Sequence, residues 1–158
     1  MGDFGAQGRT WQQLSVGTKF TTSRRTVTEH DLMTMITLAG ITEPLFMDAR
    51  HSVAAGYEGR LVPGVLTYCL AEGLVVQTGV FHGTGTAFLG AELKQLAPVY
   101  VGDTIHVEVE VTGSRASSKG DRGVVTSLVT VHSDRHGRVM TYTPARLVRG
   151  SAPGHGEA

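Results

Sequence analysis

The sequence predicts an α+β fold, an antiparallel sheet packed on one long buried helix. Three observations predict it. Residues 63–78 place apolar side chains around most of a helical circumference, the pattern of a helix with little solvent face. From residue 86 the apolar period drops to two, and four strand candidates follow in succession with turns between them. A shorter helix with one apolar stripe precedes both. Meander strands against a buried helix make a two-layer fold.

The elements follow in order. Gly2, Asp3, Gly5 and Gly8 mark residues 1–14 as a loose tail; residues 15–149 form one domain; and 150–158, with Pro153, Gly154 and Gly156, form a second loose tail. Lys19 to Val27 mixes Phe, Thr and Val and reads as a first strand. Thr28 can cap the free amides of a following helix, and Asp31, three positions on, completes a capping box. Leu32, Met33, Met35, Ile36 and Ala39 supply that helix's stripe, and Gly40 stops it. In the long helix, begun by Pro63 and Gly64, Val65, Leu66, Cys69, Leu70, Leu74 and Val75 recur at three- and four-residue intervals. Cys69 falls on this stripe and reads as a small buried hydrophobe rather than a nucleophile. Ala87 to Leu96 is the next strand, stopped by Pro98. Ile105, Val107, Val109 and Val111 alternate with His106, Glu108 and Glu110, the cleanest strand of the chain. Val124 to His132 and Arg138 to Val148 complete the sheet; Pro144 argues for an edge or a bulge in the last.

Composition narrows the function classes. The 158 residues suit a single domain with a real core. Fourteen Lys and Arg balance fourteen Asp and Glu, so nothing favours nucleic acid. One cysteine excludes an intramolecular disulfide. No apolar run approaches the ~20 residues that span a bilayer, and the N-terminus lacks a signal-type apolar core, so a cytoplasmic setting is expected. His30, His51, His82, His106, His132 and His136 show no His-x-His or Glu-x-x-His spacing, so no metal site is expected. Gly83-Thr84-Gly85 neither follows a strand nor opens onto Gly-Lys-Ser/Thr, and it reads as a turn.

The segment between the two helices is the most specific part of the chain. Residues 40 to 48 read Gly-Ile-Thr-Glu-Pro-Leu-Phe-Met-Asp. Arg60-Leu61-Val62-Pro63-Gly64 leads into the long helix, and Ala97-Pro98-Val99-Tyr100-Val101-Gly102-Asp103-Thr104 forms a later turn. In order and spacing these pieces, with Ser117-Ser118-Lys119 and Asp121-Arg122-Gly123, resemble the MaoC-like, (R)-specific enoyl-thioester hydratases, whose fold is the hotdog, a sheet wrapped around a long helix. In that family the first segment typically runs Gly-Asp-x-Asn-Pro-Leu-His-x-Asp. Here Ile41 stands at the Asp position and Phe46 at the His position.

The resemblance implies hydratase or dehydratase ancestry on an acyl thioester, acyl-CoA or acyl carrier protein, with no further cofactor. Hydration needs a base for water, an acid for C2, and donors for the enolate-like oxygen. Ile41 and Phe46 can supply neither base nor acid. Glu43, at the family's Asn position, is the one candidate base within the segment; the competing reading is a solvated loop residue, or a partner of Arg50 or Arg60. The oxyanion donors are expected to survive as the Gly64 and Val65 amides at the helix N-terminus. Ile41 and Phe46 are then expected to line an apolar substrate site. The expected activity is weak or atypical lyase chemistry. The alternative is a non-catalytic hotdog subunit that shapes the acyl tunnel of a partner bearing the Asp/His pair. A thioesterase would need a carboxylate near the helix start, and Glu72 lies two turns away. Open strand edges and the family resemblance imply a homodimer or larger homo-oligomer, or pairing with a related hotdog subunit.

Overall fold

Apolar alternation in the second half of the chain produces four long strands, and the apolar stripe of one helix closes them into a layer. The computed structural model describes residues 7–118 and 120–151. Strands β1 (Lys19–Thr21) and β2 (Arg25–Thr26) precede helix α1 (Glu29–Ala39), two short helices, α2 (Pro44–Met47) and α3 (Ala49–Ala54), and the long helix α4 (Gly64–Gln77). Strands β3 (Gly85–Gln95), β4 (Thr104–Ala116), β5 (Arg122–Ser133) and β6 (Gly137–Arg149) follow. All pair antiparallel in the order β1-β4-β5-β6-β3, with β2 also on β4.

The alternation in β4 does what its period predicts. Ile105, Val107, Val109 and Val111 are buried while His106, Glu108 and Glu110 face outward. Leu66, Leu70, Ala71, Leu74 and Val75 of α4 meet this inward face, together with Val129, Val131, Met140 and Tyr142. Leu32 and Ile36 of α1 join the same core. The capping box forms: the Asp31 amide donates to the Thr28 hydroxyl at 3.2 Å, and the Thr28 amide donates to Asp31 Oδ2 at 2.9 Å. Gly40 ends the helix with φ at 67°, a left-handed conformation that favours glycine.

Asp31 does more than cap. Arg25 NH2 reaches its Oδ1 at 2.5 Å, tying β2 to α1. Burial alone would raise the carboxyl's pKa, but the Thr28 amide and hydroxyl and the Arg25 charge outweigh it and hold it below the usual 3.8. A depressed folded pKa adds stability that is fully present above 3.8 and is lost as pH falls through the folded value. Asp31→Asn is therefore expected to cost about 1 kcal/mol at pH 7, the typical worth of a helix cap. Urea unfolding should show the gap between variant and parent closing as the solution is acidified below that point.

Four expectations need correction. The strand expected over 19–27 is broken in two, because the Thr22 hydroxyl, not a backbone carbonyl, accepts from the Val107 amide at 3.0 Å. Residues 7–14, expected within a loose tail, belong to the fold. Gly8 donates to the His82 carbonyl at 2.7 Å, Leu14 is fully buried, and Trp11 lies over Gly123 so closely that a Cβ there would collide with the indole. Residues 1–6 and 152–158 lie outside the described residues. Pro144 is not on an edge: β6 runs between β5 and β3. Its missing N–H falls where the β5–β6 ladder lapses between Thr126–Ala145 and Val129–Tyr142.

Cys69 is the fourth. It is exposed, as are Val65 and Val76 on the same side of α4. A helix apolar all round predicts burial all round, but the described residues cover one side only. Strand β3 is exposed along almost its whole length, with Phe88, Leu89 and Leu93 about half accessible. No helix among the described residues is long and apolar enough to cross a membrane.

Candidate functional site

Backbone geometry brings the 40–48 segment to the start of α4. After Gly40 the Ile41 amide turns back to the Ile36 carbonyl at 3.1 Å. Pro44, with its pre-set φ, opens α2 and presents Phe46 from it. Asp48 then caps α3, accepting from the Arg50 amide at 2.8 Å. Residues 60–62 run against 99–101: Val62 donates to the Val99 carbonyl at 2.9 Å, and Val101 to the Arg60 carbonyl at 3.0 Å. Pro63 ends that stretch and Gly64 begins α4.

Arg60 fixes the arrangement. Its guanidinium donates to Glu29 of α1 at 2.9 and 3.0 Å and also to the Phe46 carbonyl. One cation thus ties α1, α2 and the approach to α4. Its side chain is only 16% exposed, but Glu29 is 52% exposed, so water screens the ion pair and the clamp acts mainly by geometry.

Between these elements lies a cavity of about 370 Å³. Leu45, Phe46 and Tyr57 line it from the segment before α4, Leu61 and Gly64 from the approach to α4 and its start, and Gln95, Leu96, Ala97 and Pro98 from the end of β3 and the turn after it. No carboxylate, imidazole, amine or guanidinium lines it among the described residues. The lining is apolar apart from the Tyr57 phenol and the Gln95 carboxamide. The first N–H groups of a helix have no intrahelical acceptor. The Leu66 and Thr67 amides reach back to the Pro63 carbonyl, at 2.9 and 3.2 Å, which leaves the Gly64 and Val65 amides at the positive end of the helix dipole. Gln95 Nε2 donates to the Ala97 carbonyl at 2.6 Å, and its Oε1 sits only 3.0 Å from where a Cβ on residue 64 would be. Glycine at 64 lets the carboxamide lie over the helix start.

The structure brings Phe46 and Gly64 together across this cavity. Ile41 is half-buried in the turn after α1 and is not part of the lining; Val65 is 46% exposed on the outer side of α4; and Glu43 is exposed at the N-cap of α2. Arg60 is engaged by Glu29 and Phe46 rather than by Glu43. Sequence reasoning missed Tyr57, Gln95 and the clamping role of Arg60. Arg60 stood within a quoted motif; Gln95 carries no signal beyond its place at a strand end.

Glu72 is occupied elsewhere. It accepts from Arg146 NH2 at 2.6 and 2.8 Å and from the Tyr142 hydroxyl at 2.6 Å. Burial, then the bond to Glu72, pushes the Tyr142 phenol far up, and burial with the Glu72 charge raises Tyr68, whose ring meets that of Tyr142 edge-on at 5.0 Å. Both phenols stay protonated, Tyr142 donates to Glu72, and Glu72 serves as an acceptor joining α4 to β6.

Comparison with known proteins agrees with this architecture. The MaoC like domain model matches residues 12–133. Over 104 residues the chain is 34% identical to the (R)-specific enoyl-CoA hydratase of Aeromonas caviae, an alignment covering 66% of this chain and 75% of that one. Its structure is similar to that of the monoamine oxidase regulatory protein from Archaeoglobus fulgius, with 27% identity, a TM-score of 0.85, and coverage of 93% of this chain and 98% of that one. A double-hotdog protein of Mycobacterium tuberculosis shares the fold at 23% identity and a TM-score of 0.81, with 93% of this chain covering 47% of that one. The fold is a hotdog, and the matched residues span the cavity, the clamp and most of the sheet: the chain belongs to the MaoC-like domain family.

Proposed function

We propose that the chain binds an acyl thioester, of CoA or of an acyl carrier protein, and hydrates or dehydrates it only weakly. One observation supports this reading: the cavity is lined by Phe46 and by Gly64 at the start of α4, with no acid or base among its lining residues. The thioester oxygen would meet the Gly64 and Val65 amides, and the acyl chain would lie against Phe46, Leu61 and Leu96. Such donors polarise a carbonyl without moving a proton. Ile41 would bound the entry from the adjoining turn, and Glu43 would remain at the rim. No cofactor is required.

Titration calorimetry with a series of acyl-CoAs tests the reading. Binding is expected to strengthen with acyl length, since each buried methylene contributes roughly 0.8 kcal/mol. Gly64→Ala is expected to weaken it, because a Cβ there would lie 3.0 Å from Gln95 Oε1 and add bulk at the helix start where the thioester oxygen would sit. Absence of binding by the parent chain would remove the proposal.

We infer further that a second hotdog unit covers α4 and β3. Strand β3 is an eleven-residue edge with apolar side chains, and α4 leaves Val65, Cys69 and Val76 exposed beside it. A second copy of this chain fits such a self-complementary edge, giving a homodimer. Light scattering at micromolar concentration is expected to give twice 16.8 kDa or more; a monomer there would count against it. If the chain is insoluble or inert until a related subunit with the Asp/His pair is co-expressed, the non-catalytic reading replaces the homodimer.

A further inference from the structure

Antiparallel register places two histidines side by side on the outer face of the sheet. His106 of β4 and His132 of β5 are direct partners in the ladder, and their rings stack with centroids 5.0 Å apart at 14°. Glu108, two residues along β4, faces the same way because side chains alternate. Its Oε2 lies 3.3 Å from His132 Nε2. One ligand atom from each of the three residues falls within 4.8 Å of the others. Spacing within single segments does not show this cluster; pairing across strands creates it. Val107, between His106 and Glu108, is fully buried under the sheet, so this cluster lies on the opposite face from α4 and its cavity.

We propose that His106, Glu108 and His132 form a binding site for a divalent transition-metal ion of the zinc class. The donor set is two imidazoles and one carboxylate, which suits zinc with a water in the fourth position. The geometry is close to what binding needs. Zinc bonds of about 2.0–2.1 Å at tetrahedral angles put neighbouring ligand atoms roughly 3.3–3.4 Å apart. The His132–Glu108 separation already matches that edge; the two imidazoles lie stacked, and rotation of the His106 ring out of the stack would bring its nitrogen to the same point and close the other two edges. Three ligands come from two adjacent strands of a continuous ladder, so little backbone ordering opposes binding. Glu108 and Thr130 also border an open groove of about 460 Å³ on this face, which gives an ion and its water a route in. The charged neighbours are Arg24, close enough to act on His106, and Arg138, paired with His132 in the ladder. Both oppose a cation, so the site favours ions that imidazole binds strongly over calcium or magnesium.

The test uses the tag-free full chain, titrated with zinc chloride by calorimetry and with cobalt(II) by visible absorption. One ion per chain is expected, with an intense tetrahedral cobalt spectrum. His106→Ala and His132→Ala are each expected to weaken zinc binding by at least about 100-fold, since losing even the group behind a ligand costs 10–100-fold. Glu108→Gln is expected to weaken it less, and His51→Ala, at an exposed site on α3, not at all. All three ligand positions lie on the outer surface of the sheet, and circular dichroism of the apo-variants checks that they fold. Binding that survives His132→Ala, or a parent chain that binds zinc no better than the His106→Ala/His132→Ala double variant, would overturn the site and leave a plain His132–Glu108 ion pair.

Discussion

Crotonyl-CoA is expected to be hydrated at least ~100-fold more slowly by this chain than by a MaoC-like relative carrying the Asp/His pair, since general acid–base groups commonly contribute 10²–10⁴ in rate. Among the described residues, nothing that lines the cavity is able to take a proton from water near neutral pH. Under the proposed function, what remains is positioning and the amides of α4, which would act on the thioester oxygen alone. Restoring the groups restores the chemistry only if the scaffold is intact. Phe46→His would put an imidazole into the cavity wall, while Ile41→Asp would add its carboxylate from the turn beside it. The double variant is expected to exceed either single one, because base and acid act in the same transition state. Glu43→Asn, which returns the family's residue, belongs in the same series. A parent chain as fast as an ordinary hydratase would show that another group does the work; loss of that rate in Glu43→Gln would assign it to Glu43. A folded double variant with no activity, from a parent that also binds no acyl-CoA, would mean a closed site and favour the non-catalytic subunit.

The fold was legible wherever one residue's environment is set by its neighbours in sequence. Thr28, Asp31 and Gly40 announce the ends of α1 because capping is local, and the alternation from Ile105 to Val111 announces a half-buried strand because the pleat has a period of two. The misreadings share a different cause. Val65 and Cys69 belong to a stripe that reads as buried, but among the described residues nothing covers their side of α4. Pro144 reads as needing an edge or a bulge, whereas on this inner strand a lapse of the ladder on one side suffices. Trp11 sits in a Gly-rich stretch, and only the close approach of Gly123 makes it part of the core. The site was half legible. Phe46 and Gly64 stand at motif positions and do meet across the cavity, but Gln95 and Tyr57 arrive from distant segments, and no local pattern marks them. The His106–His132 pair, too, exists only through register.

Register also creates the interaction whose loss is expected to cost the fold most. Arg146 on β6 and Glu72 on α4 are separated by 74 residues and joined by bonds of 2.6 and 2.8 Å. Their side chains are 10% and 22% exposed. Removing one partner of a buried pair costs about 3–5 kcal/mol, because the other charge stays buried and uncompensated. Glu72 retains some contact with water, which reduces that figure to roughly 2–3 kcal/mol by the same reasoning. Arg146 also lies 5.0 Å above the Phe81 ring, a cation–π contact worth about 0.5–1 kcal/mol. Arg146→Ala is therefore expected to destabilise the chain by about 3 kcal/mol, read from denaturant unfolding at one fixed protein concentration so that any assembly equilibrium is held constant. Tyr142 sharpens the test. Its hydroxyl donates to the same Glu72 oxygen, so a bare carboxylate left by Arg146→Ala keeps one donor and loses its cation. Removing all three polar groups together, as Glu72→Leu, Arg146→Met and Tyr142→Phe, leaves nothing unpaired and is expected to cost less than Arg146→Ala alone. If Arg146→Ala costs under about 1 kcal/mol, the size of an exposed pair, then water screens this contact and α4 is held to β6 by its apolar face alone.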